Sequence, residues 1–267
     1  MIRQVPLKYT IIGDGKVAKH FAHYFHLLDI EFNCWSRRQF QLQSCKPSLL
    51  EKQFTLHQTY YPQHQSRLTL QKTIEASDVV LLLISDDAIE DFIESNAFLK
   101  EKQLLHFSGS LTSKYAISCH PLMTFAHQLY ELEQYEKIPF VIDDGYELSD
   151  LFPKFKNEYV TIKAKDKAYY HSLCVMAGNF AQILWQAIGK EFEQNLNLPK
   201  EILNPYLLQN TQNFVNNPET SATGPLQRGD FATIKKHLNS LQNNPLLEIY
   251  QAFLNHQKPA TKIQRVQ

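Results

Sequence analysis

The sequence predicts an α/β chain in two parts: a doubly wound sheet in the first half, then an all-helical second half. Three observations carry that expectation. Short β-rich runs alternate with helix-like stretches from Tyr9 to about Ile162. One of those runs, Val79 to Ile84, is continuously apolar, as strands buried on both faces are. The texture then changes near Lys163, after which only helical stretches follow. The expected domains are residues 1–162 and 163–267.

The elements follow in order. Tyr9 to Ile12 reads as a strand, and Gly13-Asp14-Gly15 breaks it. Apolar residues at Val17, Ala18, Phe21, Phe25 and Leu28 then recur with a helical period. Glu31 to Trp35 is the next strand. Residues 39–73 are rich in Gln and Leu and predict short irregular elements. Val79 to Ile84 is a strand, Ala88 to Leu99 a helix, and Leu104 to Phe107 a strand ending at Ser108-Gly109-Ser110. Ala116 to Cys119, Phe140 to Ile142 and Tyr159 to Ile162 are further strand candidates. Asp166 is placed to cap a long helix reaching about Phe192, and helices are expected at 200–215, 230–242 and 245–256. Asn244-Pro245 is a strong helix-start signal.

Composition excludes several classes. The chain has 267 residues, 43% hydrophobic and 20% charged, with 27 basic and 27 acidic side chains. A chain of that size buries roughly three quarters of its unfolded surface without a disulfide or metal staple. Zero net charge argues against a nucleic-acid partner, which needs a basic surplus. No apolar run approaches the ~20 residues of a membrane helix, so no membrane partner is expected. The four cysteines are scattered without a C-x-x-C pair, which suits reduced thiols in a cytoplasm. The histidines show no H-x-x-x-H or H-E-x-x-H spacing, so no catalytic metal is expected.

Gly13-Asp14-Gly15-Lys16-Val17-Ala18 fits G-x-G-x-x-G/A between a strand and a helix, the context of a Rossmann-type dinucleotide site. The first glycine permits the tight turn, and the second lets backbone approach a pyrophosphate. The helix N-terminus offers free N–H groups. An NAD site places a carboxylate about 20 residues on. Here that region reads Ser36-Arg37-Arg38 after Trp35, which suits the 2′-phosphate of NADP over NAD. Ile84, Ser85 and Asp86 follow the buried strand. They stand either beside the dinucleotide or as the cap of the next helix, and both readings can hold together.

Several longer strings point to one family. They are Ser85-Asp-Asp-Ala-Ile89, His106-Phe-Ser-Gly-Ser110, Cys119-His-Pro-Leu-Met-Thr-Phe125, Tyr169-Tyr-His171 with Gly178-Asn-Phe180, and Thr223-Gly-Pro-Leu-Gln-Arg-Gly-Asp230. In this order, over nearly the whole chain, they resemble Rossmann-like NADP-binding proteins with a C-terminal helical domain of unknown function. The resemblance implies kinship with pyrroline-5-carboxylate reductases, ketopantoate reductases and 6-phosphogluconate-type dehydrogenases. It also implies a homodimer through the helical domain, and it names no substrate. The β-hydroxyacid dehydrogenases carry a catalytic lysine in a glycine-rich helix. The corresponding stretch here, Tyr169 to Phe180, has none, while Lys165 and Lys167 lie just upstream.

His171 and His120 are the candidate proton donors, because imidazole titrates near neutrality. Asn179 lies eight residues after His171, about 80° away on an α-helix, and joins the catalytic set. His120 precedes Pro121 and is expected in extended backbone on a loop. Ser108, Ser110, Thr124 and Arg228 are candidates to hold a small-molecule substrate. Asp230 is expected to cap the helix that follows it. The resulting expectation is an NADP(H)-dependent oxidoreductase. It would move a hydride to or from a small C=O or C=N substrate in a cleft between the two domains. The alternative is an NADP-binding sensor or interaction protein without turnover.

Overall fold

In the computed structural model, residues 6–37 and 67–256 are described, the side chains of 67–69 aside. Seven strands form one sheet: β1 (Tyr9–Ile12), β2 (Phe32–Trp35), β3 (Val79–Leu82), β4 (Gln103–His106), β5 (Ala116–Pro121), β6 (Phe140–Asp143) and β7 (Tyr159–Ile162). Their order is β2-β1-β3-β4-β5-β6-β7. The first five run parallel. β6 pairs antiparallel to β5, and β7 returns parallel to β6. The sheet direction therefore reverses once, at β6.

Both faces of the sheet are covered, which explains why its strands are unbroken apolar runs. Tyr9, Ile11, Val79, Leu81, Leu105 and Ile142 pack in one core cluster with α1 (Lys16–Leu27), whose Phe21 and Phe25 are buried. Ile12, Val80, Leu82 and Leu104 share the other cluster with Leu70 and Ile74 of α2 (Arg67–Glu75) and Ile89 and Ile93 of α3 (Asp86–Ser95). Residues 67–73, expected irregular, are thus the opening of a helix. The rest of the 39–73 expectation, and Arg38, lie outside the described residues.

Buried polar groups on the α1 side are paired. Asn157 donates to the carbonyls of Tyr135 and Ile138 at 2.7 and 2.9 Å and accepts from the Tyr24 hydroxyl at 2.7 Å. It thereby fastens α1 to α4 (Leu132–Glu136). The Tyr9 hydroxyl donates to Leu151 O in α5 (Leu148–Leu151). Phe152, fully buried, stacks on Phe155 at 4.5 Å and on Tyr9 at 5.8 Å.

A helix α6 (Lys167–Val175) follows β7. It runs through a π turn at Met176–Phe180 into α7 (Ala181–Gln194). Asp166 stands at the cap position, but its side chain makes no capping bond. The chain divides into compact units at Ile183/Leu184. The second unit contains α8 (Asn204–Asn216), α9 (Pro225–Arg228), α10 (Phe231–Ser240) and α11 (Leu246–His256). Two caps read from the sequence are present there. Asp230 accepts the Thr233 N–H at 3.0 Å, and Asn244 accepts the Leu246 N–H at 2.8 Å.

Truncating Phe152 to alanine is expected to lower the unfolding free energy by about 3–5 kcal/mol, read as a shifted urea midpoint at unchanged slope. A loss below about 1 kcal/mol would contradict this packing.

Candidate active site at the carboxyl ends of the strands

The strand order turns outward in opposite directions from β1 and β3. In open α/β sheets a crevice opens at such a point, outside the carboxyl ends of the strands. Here it is a cavity of about 1100 Å³. Gly13, Asp14, Gly15, Lys16 and Val17 line it from the β1 turn, and Trp35, Ser36 and Arg37 from the end of β2. Ile84, Ser85 and Asp86 line it after β3, and Ser108 after β4. Trp35 and Ser108 aside, these are the residues that the sequence assigns to a dinucleotide, Arg38 excepted.

Gly13 explains the close approach of the two turns. Its φ is +132°, and a Cβ placed on it would lie 2.1 Å from the Leu83 carbonyl oxygen. No other residue fits that backbone. Its N–H donates to Trp35 O at 2.9 Å, while Leu83 N–H donates to Ile12 O at 2.8 Å. Gly15 occupies the cap position of α1, with no side-chain cap and no acid in the first turn. The N–H groups of that turn are left for an anion. Lys16 and Arg37 are exposed beside it, and Ser36 is buried. The opposite wall carries Asp86, Asp87 and Asp91 of α3. Trp35 packs against Phe92 at 5.9 Å, and its buried indole N–H has no hydrogen-bond partner among the described residues.

Ser85 stands at the cap position of α3 but makes no side-chain capping bond. Asp86 instead accepts from the Ser108 hydroxyl. Ser113 donates to Glu90, and Tyr115 to Glu94 at 3.3 Å. Carboxylates four residues apart on one face of α3 therefore hold the whole loop after β4. Within that loop, Ser108 Oγ accepts the Ser110 and Leu111 N–H groups at 3.3 and 3.0 Å.

At the loop's glycine the two candidate histidines meet. A Cβ on Gly109 would lie 2.5 Å from His171 Cδ2 and 3.1 Å from His120 Nε2. The two imidazoles are 5.8 Å apart and edge to face. His120 is extended, as expected, but it belongs to strand β5 rather than a loop, because Pro121 can end a strand without losing a needed N–H. Its Nδ1 lies 2.8 Å from the Tyr170 hydroxyl. Burial, then His171 and Lys167, push its pKa down to about 4.

Beneath them is a layer the sequence did not reveal. Lys167, the first residue of α6, is buried and paired with Asp143 Oδ1 at 2.9 Å. Asp143 Oδ2 accepts the Ser118 N–H at 2.7 Å. His106 is fully buried, and neither ring nitrogen has a hydrogen-bond partner among the described residues. Burial, then Lys167, hold its pKa near 4 against the raising effect of Asp143. A lysine beside a helix of polar residues reads as a surface cation, so only the unusual run of chemistry-bearing residues around it hinted at this pair.

Asn179, Ser110 and Thr124, also expected at the site, are not brought to this point. Asn179 is exposed, and its side chain makes no hydrogen bond among the described residues. It lies in the π turn, so the α-helical spacing that placed it on the His171 face does not apply. Ser110 is exposed at the edge of the loop, and the Thr124 side chain is exposed. Arg228 ends α9 in the second unit and is exposed. Among the described residues no group of three or more His, Cys, Asp or Glu side chains is placed to hold a metal.

The chain has the fold of a Rossmann-type dinucleotide-binding protein with a helical C-terminal region. Residues 144–256 match the profile of a family described as a domain of unknown function, DUF2520. Among solved structures, the chain is similar to a Bacteroides fragilis protein assigned provisionally by name to the NADP oxidoreductases. The TM-score is 0.67 at 17% identity, covering 94% of this chain and 97% of that one. A Thermotoga maritima protein gives 0.65 at 20% identity, covering 93% and 96%. The pyrroline carboxylate reductase of Plasmodium falciparum, solved with NADP bound, gives 0.55 at 13% identity, covering 94% and 96%. A search of curated protein sequences finds no match.

Two outcomes test the buried layer. Because His106 has no partner to lose, His106→Leu is expected to leave stability unchanged at pH 7. A histidine with a depressed folded pKa contributes stability in full above its unfolded pKa of 6.5, and that contribution is lost as pH falls towards 4. The variant therefore gains on the parent over that interval, measured by urea unfolding at each pH. A loss above about 1 kcal/mol at pH 7 would show that the ring has partners after all. Lys167→Ala, which leaves Asp143 without its cation, is expected to cost about 3–5 kcal/mol, and a cost under ~1 kcal/mol would contradict the pairing.

Proposed function

We propose that the protein is an NADP(H)-dependent oxidoreductase acting on a small C=O or C=N substrate. The observation that carries the reading is the Gly13 turn opening onto a crevice that reaches Ser108, the residue before Gly109 and its two histidines. The donor set fits a nicotinamide dinucleotide. The α1 N-terminus and Lys16 hold the diphosphate, Ser36 and Arg37 the 2′-phosphate. The acidic α3 wall leaves the phosphates no alternative place in the cavity. When bound, the nicotinamide supplies or takes the hydride.

The chain's own part is to bind, orient and move a proton. Ser108, tied to Asp86 and to two backbone N–H groups, fixes the loop that brings Gly109 against the histidines. Glycine there lets both imidazoles pack directly against the loop. His120 Nε2 is the atom that delivers or receives the proton as the C–H bond forms or breaks. His171 packs edge-on against it and defines the other wall. Lys167 stays with Asp143, so the reaction uses no lysine.

A homodimer through the helical half belongs to the same proposal. Tyr169, Leu173 and Met176, spaced four and three along the helix up to the π turn, are 47–70% exposed, and Phe180 and Ile183 at and beyond it are 56–60% exposed. Such a stripe is a seam for a second helix. The described cysteines, Cys34, Cys119 and Cys174, are free thiols, which supports a cytoplasmic, reducing compartment.

Calorimetry with NADPH and NADH at matched salt tests the cofactor. NADPH is expected to bind more tightly. Arg37→Glu is expected to weaken NADPH at least about tenfold while leaving NADH within about twofold. Equal binding of the two nucleotides by the parent would overturn the NADP assignment, and no binding of either would overturn the oxidoreductase reading. Tight NADPH binding with no turnover on any imine or 2-oxo acid would favour a sensor instead.

A further inference from the structure

Three histidines stand at intervals of three along α1: His20, His23 and His26. Residues so spaced share one side of a helix. His20 and His23 are buried. Against them lies the segment 122–130, which leaves the carboxyl end of β5 directly after His120 and Pro121 and leads into α4. Leu122, Met123 and Thr124 at its start are exposed. His20 joins the segment to α4. Its Nε2 lies 3.1 Å from the Ala126 carbonyl oxygen, and its Nδ1 2.8 Å from the Tyr135 hydroxyl. The Tyr135 oxygen also accepts the Tyr130 N–H at 3.3 Å. Phe125 and Tyr130 pack on the imidazole at 4.8 and 4.6 Å.

The partners fix the hydrogens. A carbonyl oxygen only accepts, so Nε2 carries a hydrogen whatever the charge of the ring. In the neutral ring Nδ1 is then the acceptor, and Tyr135 donates to it. Protonation puts a second hydrogen on Nδ1, against the phenolic one. The hydroxyl must then turn away, and no other acceptor for it stands among the described residues. No carboxylate there pairs with His20 either. The titratable groups around the ring are Tyr135 of α4, Tyr130 and Glu131 at the end of the segment, and His23 and His26 of α1. Glu131 and the segment's own His127 are exposed. A buried imidazolium would therefore keep a stranded hydroxyl and no counter-ion, and opening the segment to water relieves both.

We propose that His20 is a pH-sensitive latch on the segment 122–130: neutral, it ties the segment to α1 and α4, and protonated, it lets go. The segment continues from His120, so the latch couples acidification to the surroundings of the Gly109 histidines. It does not rest on the oxidoreductase reading. Burial, against the raising effect of the Ala126 carbonyl, holds the pKa of His20 below its usual value, and burial with His26 does the same for His23. The tie is thus complete above the unfolded value of 6.5 and is lost as pH falls through the lower folded one.

The test is NMR of the full chain between pH 7.5 and 5.5, with ¹⁵N-labelled histidines and His20 assigned by correlation to its own backbone. At pH 7.5 Nε2 is expected to resonate as protonated and Nδ1 as a bare, hydrogen-bonded nitrogen. On acidification Nδ1 gains its proton, and the exchange protection of the Tyr130 amide falls by roughly five- to tenfold with the same midpoint, below 6.5. A hydrogen on Nδ1 at pH 7.5 overturns the proposal. So does protection that stays constant to pH 5.5, or that falls with a midpoint other than that of His20. These outcomes need no variant. In His20→Gln, whose amide can still donate to Ala126 but does not titrate, the fall is expected to shrink below about twofold. A folded variant that keeps the full fall would pass the effect to His23 and overturn the assignment to His20.

Discussion

The ion pair between Lys167 and Asp143 is the contact on which the candidate site depends. One carboxylate holds three elements: it takes the Lys167 ammonium at the start of α6 and the Ser118 N–H of β5, and it ends β6. Residues three and four positions apart on a helix share a face. Pinning Lys167 therefore sets Tyr170 and His171 on the side that meets His120 and Gly109. A buried ion pair is a weak source of stability but a costly one to break, so it acts here as a register pin for the helix. It also adds to the effect of burial in lowering the pKa of His106 and His120, since an ammonium nearby disfavours a second positive charge.

The two ends of the crevice are built by different means. At the dinucleotide end the backbone does the work, through a glycine whose Cβ would occupy the Leu83 carbonyl and a helix start left uncapped. At the Gly109 end side chains do it, through hydroxyl-to-carboxylate bonds that staple the loop to α3. Both ends rest on strands whose two faces are buried, so neither turn can shift without disturbing the core. Lys16 and Arg37 stand beside the glycine turn, which itself carries Asp14, and further carboxylates lie along α3.

What the sequence revealed follows the same division. Strands β1, β3 and β4 were legible because burial on both faces makes them continuous apolar runs, and the glycine turn because backbone geometry there demands particular residues. The caps at Asp230 and Asn244 were legible because capping is local chemistry. The reversal at β6 was not, since a four-residue apolar run carries no direction. Nor was the π turn, which displaces Asn179 from the face that α-helical spacing assigns. Lys167 and His106 were missed for a shared reason: whether a titratable side chain is buried depends on what folds over it from distant elements, here β5 and β6.

A crystal structure of the protein with NADPH bound tests the central claim most directly. The account predicts the diphosphate on the N–H groups of Gly13 to Val17, the 2′-phosphate at Ser36 and Arg37, and the nicotinamide ring over Gly109 with His120 Nε2 open towards its reacting face. A nicotinamide directed away from Gly109, or a diphosphate held anywhere but the α1 N-terminus, would contradict it.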